Sequence, residues 1–376
     1  MSTSSGPSAL QTRRAGTLLL ERVRRPEGSG GFVAEIDGLR FFAILPVVLD
    51  HAWWTYSANV GDPGIALSSP AGRLFSAGEL GVQLFFVISG YVLGLGFYSA
   101  AKDSRGVGLG GYFVRRLRRL EPPFLLVMTV FFLLLLGSGR FGFGEGLGHY
   151  LASITYLHGL IYHAPSAINT VTWSLEVELQ FYLLAPALYA AYRVRLLAGL
   201  FLIGLVGMAF VASALVMGEF YLTLLSDGHF FLLGAVFQIF GRLDIDGRWW
   251  FLFPATLGGY FLIEADYASV PGNLTKLGLL AVVFATGLGC APIRRFLSTP
   301  ILYVIGGACY SIYLIHYPLL SALSKAWAAI GFTGGFAAYL GVALLVVLAV
   351  SMIFYLFAER PFMTRFTARK ADNQRI

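Results

Sequence analysis

Ten apolar runs, each of roughly 17 to 25 residues and so able to cross the hydrocarbon core of a bilayer, recur along this chain. They fall at 38–57, 79–98, 121–138, 171–191, 196–217, 222–241, 249–265, 274–290, 300–324 and 335–357. In lipid every backbone N–H and C=O needs a partner within the fold, and a helix supplies all of them from its own segment. The expected fold class is therefore an all-α integral membrane protein with about ten transmembrane helices. Composition agrees: 57% of residues are hydrophobic and only 12% charged, about half the charged share of a soluble domain. The 32 Phe and 19 Tyr exclude disorder. The two cysteines, Cys290 and Cys309, cannot frame a disulfide scaffold and read as packing.

The formal net charge of +7 does not point to nucleic acid, because the position of the basic residues explains it better. Cytoplasmic loops carry an excess of Lys and Arg. With the N-terminus inside and ten crossings, only Arg73, Arg140 and Lys325 of the 27 basic residues fall in outside loops; Arg40 and Lys276 lie within spans. Both termini are then cytoplasmic. The stretch 149–163 reads as a short span, a re-entrant piece or an interfacial helix. If it crossed, Arg193, Arg195 and the C-terminal basic cluster would face outward, so it is not counted. Residues 1–35 form a basic cytoplasmic tail, 36–362 the transmembrane domain and 363–376 a second cytoplasmic tail.

An ionisable residue inside a span is costly and marks function by default. Arg40, Asp50 and His51 lie in the first span and Glu176 and Glu178 in the fourth. Asp227 and His229 lie in the sixth, His316 in the ninth, and Glu359 at the inner end of the tenth. Arg40 and His51 are eleven steps apart, close to three full helical turns, so they share one face about 16 Å apart along the axis. Ser174, Glu178 and Tyr182 follow at i, i+4 and i+8 and share another. His51, Glu178 and His316 fall at similar depth on three separate spans. Two histidines and a glutamate could bind zinc, but no local i, i+3 or i+4 ligand pair is present. General acid–base chemistry suits them better, since a neutral imidazole takes a hydroxyl proton near pH 7. No metal is expected.

A second cluster, Arg115, Arg116, Arg118 and Arg119, sits at the cytoplasmic mouth of the third span, behind the Gly-rich stretch 106–111. Arginines clamp phosphates through bidentate contacts. The same cluster also reads as an ordinary positive-inside loop against anionic headgroups.

Several fragments together carry a resemblance. They are Asp37-Gly38-Leu39-Arg40 leading to His51, the run Phe85-Phe86-Val87-Ile88-Ser89-Gly90, and the set Phe113, Arg116, Arg119, Pro122. Further along come Trp173, Ser174, Leu175, Glu178, Phe181, Tyr182, then Tyr310 through Pro318, and Glu359-Arg360-Pro361. In this order and spacing they make the chain resemble the membrane-bound acyltransferase type 3 family, from about residue 35 to 362, in its stand-alone form without an appended esterase-like domain. Gln83, where many members carry an acid, is a departure.

The resemblance implies a multi-pass enzyme of the bacterial inner membrane. It would move an acetyl or other short acyl group from cytoplasmic acyl-CoA, acetyl-CoA first among candidates, to a hydroxyl. The acceptor would be a cell-envelope carbohydrate, a glycolipid or a glycosylated small molecule. Arg116 and Arg119, with Arg115, Arg118 and Arg40, are expected to hold the coenzyme. His51 is expected to act as general base or to carry the acyl group briefly, with Glu178 orienting or charging an imidazole and Arg40 completing the catalytic set or pairing with Glu359. Trp173, Ser174, Tyr313 and His316 are expected on the acceptor side. Asp50 is a candidate orienter of His51, and Ser89 reads as packing. The rival class is a multi-span transporter or flippase of a lipid-linked sugar, and a third is a non-catalytic lipid sensor. A transporter releases no thiol from an acyl-CoA.

Overall fold

A computed structural model describes residues 23–26, 32–102, 109–191, 195–216, 223–263, 270–331 and 334–363. Most of the two expected tails therefore lies outside the described residues, as does the side chain of Arg115. Among the described residues the chain is helical, with one isolated β-bridge between Ile245 and Cys290.

Helix α1 (Ala34–Asn59) is the axis of the bundle. Glu35 and Asp37 lie in its first turn, where acidic side chains complement the helix dipole. Pro46 lies within it and removes one backbone donor from the helix interior. Its core residues Leu39, Ala43 and Ala52 are fully buried. A short α2 (Pro70–Leu74) leads to α3 (Gly78–Lys102), which packs antiparallel on α1: Gly78 lies against Asp50, and Gly81 against Ala43 and Val47.

The chain continues through α4 (Leu109–Gly137), α5 (Phe143–Ile154), α6 (His158–Tyr162), α7 (Trp173–Ala191), α8 (Arg195–Val216) and α9 (Leu224–Phe240). Helix α9 lies flat against α3. A Cβ on Gly90 would meet the Phe231 carbonyl, and a Cβ on Gly234 the Val87 carbonyl and Tyr91 N–H. The two backbones touch because neither glycine has a side chain, which is how helices approach closely in membranes. Then follow α10 (Leu252–Leu262), α11 (Val270–Gly289), α12 (Ala291–Leu297), α13 (Pro300–Gly307), α14 (Cys309–Ile330) and α15 (Gly335–Phe354), the last running into a π-helical turn at Tyr355–Glu359. Helices α13 and α14 meet at 69° across Ala308, and both pack on α1.

Ten crossings were expected. Among the described residues four helical stretches are long and apolar enough to cross a membrane: Gly78–Leu95, Gly111–Gly137, Val270–Gly289 and Gly335–Met363. The bent pair α13–α14 makes a fifth if it is one span, and Gly199–Ala212 and Leu224–Phe240 are shorter apolar helices. Helices α1 and α7 are long but carry Asp37, Arg40, Asp50, Glu176 and Glu178, which lower their hydropathy. The stretch 149–163 resolves into the end of α5, a turn and α6. Neither helix is long enough to cross, since the 12 residues of α5 rise only about 18 Å.

Candidate active site

Two polar centres lie against α1, one near each end. The first is a cavity at the Arg40 end, lined by Arg40, Arg116, Arg119, Ser89, Glu178 and Tyr182 among others. Arg116 and Arg119 are one turn apart on α4 and share a face. Arg118 points elsewhere, is exposed and does not line the cavity. The Arg116 guanidinium lies 5.4 Å from the Tyr182 ring centroid, a cation–π arrangement. The buried Nε of Arg119 has no hydrogen-bond partner among the described residues. Two guanidinium groups facing one cavity have the charge and geometry to suit an anion.

Arg40 enters this cavity already paired. Its guanidinium donates to Asp37 Oδ1, the same oxygen that Arg25 Nη1 reaches at 3.3 Å. Glu359, an expected partner of Arg40, accepts from Ser311 Oγ at 2.5 Å instead.

Glu178 was expected beside an imidazole. The structure places its Oε1 between two hydroxyl donors, Ser89 Oγ and Tyr182 Oη, each at 2.5 Å. Ser89 is thus more than packing: its hydroxyl donates to a carboxylate in the cavity wall. The signal for it was one polar residue in the apolar run that ends at Gly90. Ser174 and Tyr313, expected on the acceptor side, line the same cavity as the arginines. They bond to each other at 2.9 Å, and Tyr313 also donates to the Val171 carbonyl. Trp173 packs edge-on against Phe86.

The second centre lies behind Tyr313. His316, fully buried, follows Tyr313 by one turn on α14, with ring centroids 6.4 Å apart. Its Nε2 lies 2.8 Å from His51 Nδ1. Its Nδ1 lies 3.0 Å from the Ile312 carbonyl and 2.9 Å from that of Tyr313. Pro318 cannot donate to the Leu314 carbonyl, and Asn169 Nδ2 fills that acceptor at 2.9 Å. The turn of α14 carrying His316 is thereby tied to the segment before α7. On its other side His51 meets the Tyr317 ring edge-on, and its Nε2 stands 3.9 Å from Asp50 Oδ2. Neither His51 nor His316 lines the arginine cavity.

Two further polar groups fall outside both centres. In the α5–α6 hairpin, His149 Nδ1 lies 3.0 Å from His158 Nε2, and Tyr162 stacks near both rings. His158 is buried, not solvated, and burial holds its imidazole below the ordinary histidine pKa. Glu176 accepts from the Gly159 N–H at 2.8 Å and anchors α6. Between α3, α9 and α11, buried Lys276 interacts electrostatically with Glu79 and Asp227. Gln83 joins them by bonding Glu79 at 3.4 Å and accepting from Tyr260 at 3.1 Å. Asp227 and His229 belong to this cluster and do not line the cavity. No group of three or more His, Cys, Asp or Glu among the described residues is arranged to hold a metal.

A cation-lined cavity at one end of α1 and a histidine pair toward the other suit a membrane enzyme with an anionic substrate. The model of a family described as "Acyltransferase domain" matches residues 33–356. The chain belongs to this acyltransferase type 3 family. It is similar to the exopolysaccharide production protein ExoZ of Rhizobium meliloti, with 29% identity over 80% of this chain and 94% of ExoZ. It is also similar to the O-acetyltransferase OatA of Staphylococcus aureus, with 26% identity over 80% of this chain and 52% of OatA. The chain thus spans about half the length of OatA. No solved structure matches it.

Proposed function

We propose that this protein is a membrane O-acyltransferase that moves an acetyl or other short acyl group from acyl-CoA to a hydroxyl of a carbohydrate or glycoconjugate. The observation that carries this reading is the pairing of an arginine-lined cavity with a histidine dyad along one helix. Membership of the acyltransferase family and the similarity to an O-acetyltransferase and an exopolysaccharide production protein support it. The proposed setting is a ten-span domain, residues 36–362, with both termini in the cytoplasm of a bacterium.

Coenzyme A carries phosphate charges and does not cross a bilayer, so it docks from the cytoplasmic side. Arg116 and Arg119 receive its phosphates, with Arg40 deeper in the cavity. Arg118, pointing elsewhere, supplies only long-range charge. Ser89, Glu178, Tyr182 and Ser174 offer hydrogen-bonding groups to the amides of the pantetheine arm. His51 removes the acceptor hydroxyl proton, the oxygen attacks the thioester carbonyl, and the C–S bond breaks. Coenzyme A leaves as thiol, taking up the proton that His51 carried.

Purified protein in detergent is expected to release free thiol from acetyl-CoA in the presence of an acceptor glycan. Absence of both acyl-CoA binding and thiol release from folded protein sinks the reading and favours transport. The double variant Arg116→Ala/Arg119→Ala is expected to weaken acyl-CoA binding by about 100-fold or more, since each charge-assisted contact contributes about 1.5–3 kcal/mol. Its kcat at saturating donor stays within a few-fold. An unchanged Kd, measured by titration calorimetry, moves the donor site elsewhere.

A further inference from the structure

We infer that His316 is a positioning residue: it fixes the tautomer of His51 so that the lone pair available for catalysis sits on His51 Nε2. The inference rests on the proposed role of His51 as general base, and it names the atom that does the work and the residue that selects it.

The argument starts from the carbonyls of α14. His316 Nδ1 faces two carbonyl oxygens, of Ile312 at 3.0 Å and Tyr313 at 2.9 Å. An unprotonated Nδ1 there would set lone pair against lone pair, so Nδ1 carries the hydrogen and donates to them. No carboxylate among the described residues lies within ion-pairing distance of the fully buried His316 ring, and a buried cation without such a partner is costly. The ring is therefore neutral and has a single N–H. Its Nε2 can only accept.

His51 Nδ1 stands 2.8 Å from that Nε2. Two acceptors cannot bond, so His51 Nδ1 is the donor. A neutral His51 then has its lone pair on Nε2, the nitrogen 3.9 Å from Asp50 Oδ2. The chain of donors runs from His51 Nδ1–H to His316 Nε2, and from His316 Nδ1–H to the α14 carbonyls. His316 thus acts through His51, much as a carboxylate orients the imidazole of a hydrolase triad. The arrangement also accounts for Asn169. By bonding the Leu314 carbonyl that Pro318 leaves open, it steadies the turn whose geometry sets both histidines.

The α5–α6 hairpin repeats the pattern. His158 Nδ1 lies 3.0 Å from the Ala164 carbonyl, and its Nε2 receives His149 Nδ1. This second dyad lies apart from the arginine cavity, so the tautomer assignment alone does not make a site. What distinguishes His51 is its place on the Arg40 face of α1, with a partner, His316, one turn from Tyr313 in the cavity wall.

Two measurements test the inference. In protein labelled with nitrogen-15 histidine, resonances assigned through the His51→Asn and His316→Gln variants are expected to show His51 Nε2 without a hydrogen and His316 Nδ1 with one. A hydrogen on His51 Nε2 at neutral pH overturns the inference, whatever the activity. In thiol-release assays, His316→Leu is expected to lower kcat by about 100-fold, with the acyl-CoA KM within about twofold, because the wrong tautomer disables a general base. His316→Gln places an acceptor oxygen where Nε2 stood and is expected to recover at least a tenth of wild-type kcat. Equal losses in the two variants, or a loss expressed in KM, assign His316 to packing or donor binding. If His51→Ala retains turnover, the base reading fails while the spectroscopic result stands. If His51 is essential but its Nε2 is protonated, only the positioning inference fails.

Discussion

Replacing His51 by alanine is expected to cut acyl transfer by about 1000-fold or more while acyl-CoA binding stays within about twofold. A positioned general base contributes roughly 100- to 10,000-fold. His51 belongs at the upper end, because its side chain is mostly shielded from water and no other imidazole on α1 can replace it. The donor site should survive, since His51 does not line the arginine cavity. The check is single-turnover thiol release beside acyl-CoA binding by calorimetry. Turnover retained in a variant that binds acyl-CoA normally removes His51 from the chemistry. Joint loss of binding and melting temperature means the substitution broke the fold and says nothing of catalysis, so His51→Gln, close in size, serves as the second variant.

The other large effect is structural. Gly234→Ala is expected to destabilise the protein by about 3 kcal/mol, although alanine is the better helix former. Propensity alone favours alanine over glycine by about 1 kcal/mol in a helix interior. The added methyl would meet the Val87 carbonyl and the Tyr91 N–H. These are backbone atoms that cannot rotate away, so α9 must lift off α3. Overpacking of this kind costs about 1–3 kcal/mol and occasionally more, and here the separation of two long helices adds lost contacts. Gly204→Ala is the internal control, because nothing lies within 4 Å of the position its Cβ would take. It is expected to be neutral or slightly stabilising. The comparison is read from melting temperatures in detergent. Equal melting temperatures for the two variants refute the close α3–α9 contact.

Helical periodicity made part of this site legible. It put Arg40 and His51 on one face of α1, and it put Glu178 and Tyr182 together, which the structure joins by a hydrogen bond. It could not say which arginines face the cavity, because that depends on how α4 is rotated against α14. Nor could it pair His51 with His316, which are 265 residues apart in sequence. Depth along a span placed both in the same layer, but contact depends on the crossing of α1 and α14. Ser89 stayed hidden for the same reason: its carboxylate partner lies on another helix, 89 residues away. The crossings are obscured from the opposite side. In α1 and α7 the polar residues that build the candidate site are the ones that dilute the apolar signal.

The distance between Arg40 and His51 has an evolutionary consequence. About 16 Å of one helix separates them, and the proposed donor grip and proposed base are joined by that helix and by α14, which carries Tyr313 in the cavity wall and His316 beside His51. Such a layout is modular. Substitutions around the Asn59 end of α1 or in the segment before α7 can reshape what approaches His51 without touching Arg116 or Arg119. Lineages sharing this scaffold are thereby free to diverge in the molecule they modify while keeping one donor, the first change requiring no compensation in the second.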